Sequence, residues 1–202
     1  MALSPDLLTA LSDETTRVLT PFVEADWSVP AGDLDWSCER TAVHLADDYF
    51  SYASQVIAQP DKGYLPVGVM AEPGATPAEL LEVLDMCAEL LRLAVVAASP
   101  SARGWHPMGT SDAEGFLSMG MVEGLVHTYD LAAGFGYRWD GPDELCEPVL
   151  GRLFPHAPGS SEARPWAALL WCTGRIALPG RPRQTDWRWF GAVPGELDPS
   201  VP

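Results

Sequence analysis

The sequence predicts an all-α protein, a four-helix bundle followed by a C-terminal helical and irregular extension. Three observations carry this prediction. Apolar residues recur at helical spacing in four long segments, two of those segments open on capping signals, and no run alternates as a half-buried strand would. With 202 residues, 47% of them hydrophobic, the chain is long enough to bury one sizeable core. The division we expect is a bundle over residues 1–137 and an extension over residues 138–202 packed on it.

The first helix is predicted from Pro5 to about Ala25, where Leu7, Leu8, Leu11, Val18, Leu19, Phe22 and Val23 repeat at helical intervals and Pro21 introduces a kink. Trp27 to Ser37, with Pro30 and Gly32, reads as a loop. The second helix runs from Glu39 to about Ala58 on the period of Val43, Ala46, Phe50, Ala53, Val56 and Ile57. Gln59 to Ala75 carries three prolines and three glycines, a structureless stretch long enough to need a purpose. We expect it to act as a lid that borders the functional pocket together with Ser99 to Thr110, on the assumption of an up-down arrangement of helices. Thr76, Pro77 and Glu79 give an N-cap, a first-turn proline and a capping-box acid to a third helix reaching about Ala98. Ser111 and Glu114 repeat the capping box and open a fourth helix ending near Gly134. Shorter helices follow over about Pro142 to Phe154 and Arg164 to Arg175. Trp166, Trp171, Trp187 and Trp189 are expected to pin the extension onto the bundle.

Charge and cysteine usage exclude several functions. With 28 acidic against 12 basic residues the formal charge is -16, so the cationic surface that neutralises phosphates is missing. Nucleic acid and anionic membrane are poor partners for such a chain. The opening residues lack a basic segment ahead of their apolar positions, and no apolar run is long enough to cross a bilayer, so a soluble cytoplasmic protein is expected. Cys38, Cys87, Cys146 and Cys172 are widely spaced, form no C-x-x-C pair and read as reduced, buried thiols.

The stretch "MVEGLVHTYD", Met121 to Asp130, sets Glu123 and His127 four residues apart, hence on one face of the fourth helix. Such a pair is either a histidine bonded to its helical neighbour or half of a ligand set. His44, in "WSCERTAVHLADDYF", adds a second imidazole near the start of the second helix, flanked by apolar residues. Two imidazoles and a carboxylate make the His₂Glu set of catalytic zinc and the facial set of open iron sites, and bundle interiors are where such sites are built. Asp48 and Asp130, four residues after His44 and three after His127, are placed to accept the outer N–H of a metal-bound imidazole. Asp47 reads equally well as a solvated carboxylate. His106, in "RGWHPMG", and Arg175, in a basic cluster with Arg181 and Arg183, are candidates to contact a thiol or a substrate.

Tryptophan, a helix start and "HLA", followed some way on by "E-x-x-x-H-T-Y-D-L-A", resembles the mycothiol-dependent maleylpyruvate isomerase N-terminal family of the DinB-like superfamily. The resemblance spans about residues 5 to 137, and the tail "PWAALLWCTGRIALPGR" resembles the ends of many actinobacterial members. A single lysine, Lys62, and abundant Ala, Gly and Pro fit such a GC-rich source. The resemblance implies a DinB-like four-helix bundle holding a divalent metal, typically zinc, on His44, Glu123 and His127. It also implies metal-assisted thiol chemistry, in which the metal binds mycothiol or a similar low-molecular-weight thiol as thiolate, and the thiolate attacks a small electrophilic substrate. Transfer of the thiol and cis-trans isomerisation are the two expected outcomes. A non-catalytic helical module, with a metal as a staple or a bound small ligand, is the alternative. The isomerase carries a separate C-terminal domain, whereas this chain has only its extension, which argues against maleylpyruvate as the substrate. The expected partners are a small-molecule substrate and the thiol, with a homodimer as the one assembly considered. Cys38, six residues before His44, is expected to be a buried helix-start residue rather than a ligand.

Overall fold

The computed structural model describes residues 3–193 and 195–196. Among them are six α-helices, isolated bridges and no strand: α1 (Asp6–Leu19), α2 (Cys38–Ala58), α3 (Pro77–Ala97), α4 (Ala113–Gly134), α5 (Asp143–Leu153) and α6 (Pro165–Cys172). The all-α class is as the sequence predicts. No helix among the described residues is long and apolar enough to cross a membrane.

Local chemistry sets most helix ends. Ser37 caps α2 by accepting from the Arg40 amide at 3.1 Å. At α3 the expected capping box forms, with Thr76 Oγ1 accepting from the Glu79 amide and Glu79 accepting from the Thr76 amide. Three ends differ from the sequence reading. α1 stops at Leu19 rather than about Ala25, and Pro21 lies in a 3₁₀ turn over Thr20–Phe22, because proline has no N–H to continue the helix. The cap of α4 is Asp112, which accepts from the Gly115 amide at 2.8 Å, not Ser111. Ser111 instead donates its hydroxyl to the Gly191 carbonyl at 2.5 Å, a partner eighty positions away. α6 ends at Cys172 rather than Arg175, since Gly174 turns the chain through a φ of +69°.

α4 is the central helix. α1, α2, α3 and α5 all pack on it, and Phe116, Leu117, Met119, Met121, Val122, Leu125, Val126 and Leu131 are buried around its whole circumference. It therefore lacks the one-sided pattern of the surface helices. α1 runs parallel to α4, with Leu11 against Gly124 and Thr15 Oγ1 sharing a 2.8 Å hydrogen bond with Thr128 Oγ1. α2 runs antiparallel to α4, with Cys38 beside Gly134 and Tyr49 beside Gly120 and Gly124.

α3 then lies parallel to α2, not antiparallel as an up-down bundle requires. The first turns of α3, at Glu79, Leu80 and Val83, line a groove with Ala42, Val43 and Ala46 from the first half of α2. Leu91 and Tyr49, further along, meet at Gly120. A connection between parallel helices must return along the first one, and α2, with 21 residues, is about 30 Å long. The loop does this in order: Gln55 Nε2 donates to Gly63 O at 3.3 Å, the Val69 amide donates to Asp47 Oδ1 at 2.7 Å, and Val69 to Ala75 reach the groove beside Ala42. The proline- and glycine-rich stretch is a crossover.

The extension, which includes α5 and α6, packs on α4 through α5. Trp139 and Trp166 stack edge to face with centroids 5.1 Å apart, the Phe190 amide donates to Leu153 O at 2.8 Å, and Arg152 donates to Asp112 Oδ1 at 3.0 Å. Trp166 and Trp189 are buried, Trp166 meets Tyr129 of α4 edge to face with centroids 5.8 Å apart, and Trp171 Nε1 donates to Pro182 O within the extension. All four cysteines are free, helical and buried.

Two glycines are expected to respond oppositely to alanine. A Cβ at Gly134 meets the Pro30 carbonyl at 2.7 Å and Cys38 Sγ at 2.6 Å, and the backbone oxygen cannot step aside. Gly134→Ala should destabilise by about 1–3 kcal/mol. Gly151, in α5, has nothing within 4 Å of such a Cβ, and Gly151→Ala should stabilise by about 0.5–1 kcal/mol. Urea unfolding of the two variants beside the native chain measures both signs.

Candidate metal centre

Two helix faces meet inside the bundle. His44 and Asp48 stand one turn apart on α2, and Glu123 and His127 one turn apart on antiparallel α4. Because the order is His then acid on one helix and acid then His on the other, imidazole lies beside imidazole and carboxylate beside carboxylate. The two rings meet edge to face with centroids 5.2 Å apart. His44 Nε2 is 3.2 Å from Asp48 Oδ2, and His127 Nε2 is 3.2 Å from Glu123 Oε2. One ligand atom from each of the four residues lies within 4.8 Å of the other three.

Burial dominates the electrostatics, and neighbours decide its outcome. Burial disfavours the His127 imidazolium, yet Asp130 Oδ2 at 3.1 Å from Nδ1 and Glu123 at Nε2 more than offset it, leaving a pKa of about 9. Burial likewise opposes the Glu123 carboxylate, and His127, His44 and Arg175 overcome it and hold the group below its ordinary range. Asp48 is pushed well above its ordinary range, first by burial and then by the Glu123 charge. Burial and the neighbouring His127 hold His44 below its ordinary value, which disfavours a charged imidazole opposite Asp48. Asp48 Oδ2, cut off from solvent, has no hydrogen-bond partner in the structure.

Asp130 continues the chain of contacts outward. Arg175 donates to Asp130 Oδ2 at 2.8 Å and to the Thr173 carbonyl at 2.9 Å. Asp130 thus holds the Nδ1 edge of His127, leaving Nε2 to face the cluster. Above the cluster a cavity of about 460 Å³ opens. His44, Glu123 and His127 form its floor, Asp35 and Trp36 one wall, and Thr173, Arg175, Arg183 and Trp187 the other. Trp36 lies edge-on to His44 at 4.9 Å and carries the Arg40 guanidinium 4.3 Å from its centroid.

The structure therefore brings His44, Glu123, His127, Asp130 and Arg175 together, and sets Asp48 among the donors rather than behind an imidazole. His106 does not line the cavity, although the Glu123 charge acts on it. It is buried between Tyr52, Tyr64, Phe116 and Trp189, accepts from the Met108 amide at Nδ1, and burial lowers its pKa to about 4. Residues 59–75 and 99–110 do not line this cavity; Tyr64 and His106 instead approach the cluster from another side, close enough for the charges of Asp48 and Glu123 to act on the first and that of Glu123 on the second. The walls come from residues before α2 and after α6. Sequence reasoning missed Trp36 as a wall, although an aromatic residue directly before the α2 cap was a usable signal. Cys38 Sγ faces the Pro30 carbonyl at 3.9 Å, and burial raises its pKa to about 11.

The donor set suits a divalent cation. Two imidazoles and two carboxylates converge from helices already fixed by packing, and a buried carboxylate oxygen without a donor is what a cation would satisfy.

The metal-free chain should show the His127 proton in its stability. A base whose pKa is raised on folding stabilises fully below its unfolded value, near 6.5, and that stabilisation is lost as pH rises through about 9. Chelated protein should lose on the order of 2–3 kcal/mol between about pH 6.5 and 9.5, and His127→Gln should flatten the profile. Urea titrations across that range test this, and identical slopes in the two proteins would contradict it.

Comparison with known proteins agrees with this geometry. No curated protein and no solved structure is significantly similar to the chain. A family model described as the mycothiol maleylpyruvate isomerase N-terminal domain matches residues 8–132, a stretch that runs from α1 through His44, Asp48, Glu123, His127 and Asp130. Covering more than half of the sequence, that match shows that the chain belongs to the mycothiol maleylpyruvate isomerase N-terminal domain family.

Proposed function

We propose that this protein is a metal-dependent thiol transferase or isomerase acting on a small electrophilic substrate, with mycothiol as the thiol and zinc as the metal. The observation that carries the reading is the open cavity whose floor is made of His44, Glu123 and His127. A structural metal needs no such access, whereas a reacting sulfur does. A divalent ion, when bound, lowers the pKa of a thiol that reaches it, so that the nucleophilic thiolate is available at neutral pH. The chain's own groups do the rest. Asp130 fixes the ring of His127, and Arg175 fixes Asp130. Arg175 and Arg183 put cationic edges on one wall, and Trp36 and Trp187 give apolar faces on which the body of a thiol or substrate can rest. In this reading the extension over residues 138–202 serves as the pocket-forming partner of the 1–137 bundle, in a cytoplasmic protein.

The protein's own thiols stay out of the chemistry. Burial raises Cys38, Cys87 and Cys172 to about 11 and Cys146 further, which keeps them as inert thiols.

A second reading, a metal staple without catalysis, is favoured by one observation: the donors come in equal number from α2 and α4. One measurement tests the metal common to both readings, and a second separates them. Protein purified without chelator should hold about one divalent ion per chain, and His127→Ala should lose it. Equal metal in both would remove the assignment. Cobalt-substituted protein should then develop a sulfur-to-metal charge-transfer band on titration with mycothiol or a simpler thiol, equally in the native chain and in Cys38→Ser. A spectrum indifferent to thiol would leave only the staple.

A further inference from the structure

We propose that Asp48 is itself a metal ligand, so that a divalent ion here would be held by four protein residues, three of which also line the cavity. The proposal rests on the metal reading above and extends it from three ligands to four.

Three observations support it independently of any titration. First, Asp48 Oδ2 is sealed from solvent and has no hydrogen-bond partner. A buried carboxylate oxygen without a donor is costly, and a cation held between the four residues would satisfy it. Second, the spacing is compatible with a coordination sphere, one ligand atom from each of the four residues lying within 4.8 Å of the others. Zinc bonds of about 2.0–2.1 Å to nitrogen and oxygen place adjacent tetrahedral ligands about 3.3 Å apart. His44 Nε2 to Asp48 Oδ2 and His127 Nε2 to Glu123 Oε2 are both 3.2 Å. The first of these pairs lacks hydrogen-bond alignment, as two atoms pointed at a common third would. Third, the charges close. Asp48 and Glu123 lie side by side in the interior, and their two negative charges balance one divalent ion.

The position of Asp48 decides what remains open. His44, Glu123 and His127 line the cavity floor, and Asp48 does not. Asp48 would therefore help to hold the ion without occupying the cavity lining, and His44, Glu123 and His127 would present it to a sulfur arriving through the cavity. A four-residue site of this kind is compatible with thiol binding, because zinc sites expand to five ligands.

The test puts sulfur at position 48. Cobalt-loaded Asp48→Cys should show a sulfur-to-cobalt charge-transfer band with no thiol added, and zinc-loaded Asp48→Cys should show one sulfur neighbour at about 2.3 Å by X-ray absorption. Asp47→Cys is the control, since Asp47 accepts from the Val69 amide and lies outside the donor set, and it should show neither. Asp48→Asn keeps the shape and guards against a misfolded cysteine variant: it should weaken zinc binding at least tenfold while circular dichroism stays native. A native chain that binds metal through His127, with no sulfur signal in Asp48→Cys and unchanged affinity in Asp48→Asn, overturns the role of Asp48 and leaves the three-ligand site intact. A native chain that takes up no metal overturns both.

Discussion

The structure depends on keeping ionised groups inside a helix that protein covers on every side. α4 carries Glu123, His127 and Asp130 into the centre of the bundle, where an unpaired charge is far costlier than at the surface. The groups are tolerable only as a connected set, Glu123 to His127 to Asp130 to Arg175. The last member comes from beyond α6. Arg175 is there because α6 stops early and Gly174 turns the chain, so the end of a short peripheral helix and the ionisation of the central one belong to the same arrangement. The extension thus completes the electrostatics of the bundle as well as covering α4 with α5.

The second organising feature is the parallel pairing of α2 and α3. It brings α2 antiparallel to α4, and that antiparallel contact sets His44 level with His127 and Asp48 level with Glu123. The cost is a long return connection. Asp47, on the flank of α2 next to the donor Asp48, anchors that connection through the Val69 amide, so neighbouring acids on one helix turn serve different ends.

What the sequence made legible was local or periodic. The Thr76–Glu79 box was readable because both partners lie within one turn, and the Glu123–His127 pair because four residues make one turn of any helix. Features set by distant partners were hidden. Ser111 looked like a cap, and its hydroxyl is taken by Gly191, so Asp112 caps instead. The direction of α3 has no local signature, and without it the stretch from Gln59 to Ala75 looked like a lid. Asp48 was noticed at the right spacing, but whether it stands behind an imidazole or among the donors depends on how α2 is rotated against α4. His106, a loop histidine by sequence, is buried because Trp189 of the tail covers it.

The link between Arg175 and Asp130 also imposes an order on synthesis. A chain emerging residue by residue completes α1 to α4 well before Arg175 exists to meet Asp130, and before Gly191 can engage Ser111. During that interval the nascent bundle holds the His127 and Asp130 charges with one partner missing and the outer side of α4 uncovered, which disfavours early compaction around the site. Helices assembled first would thus settle their central contacts last, and the cavity would take its final shape only after its second wall, Thr173 to Trp187 and so forty residues or more past His127, has left the ribosome.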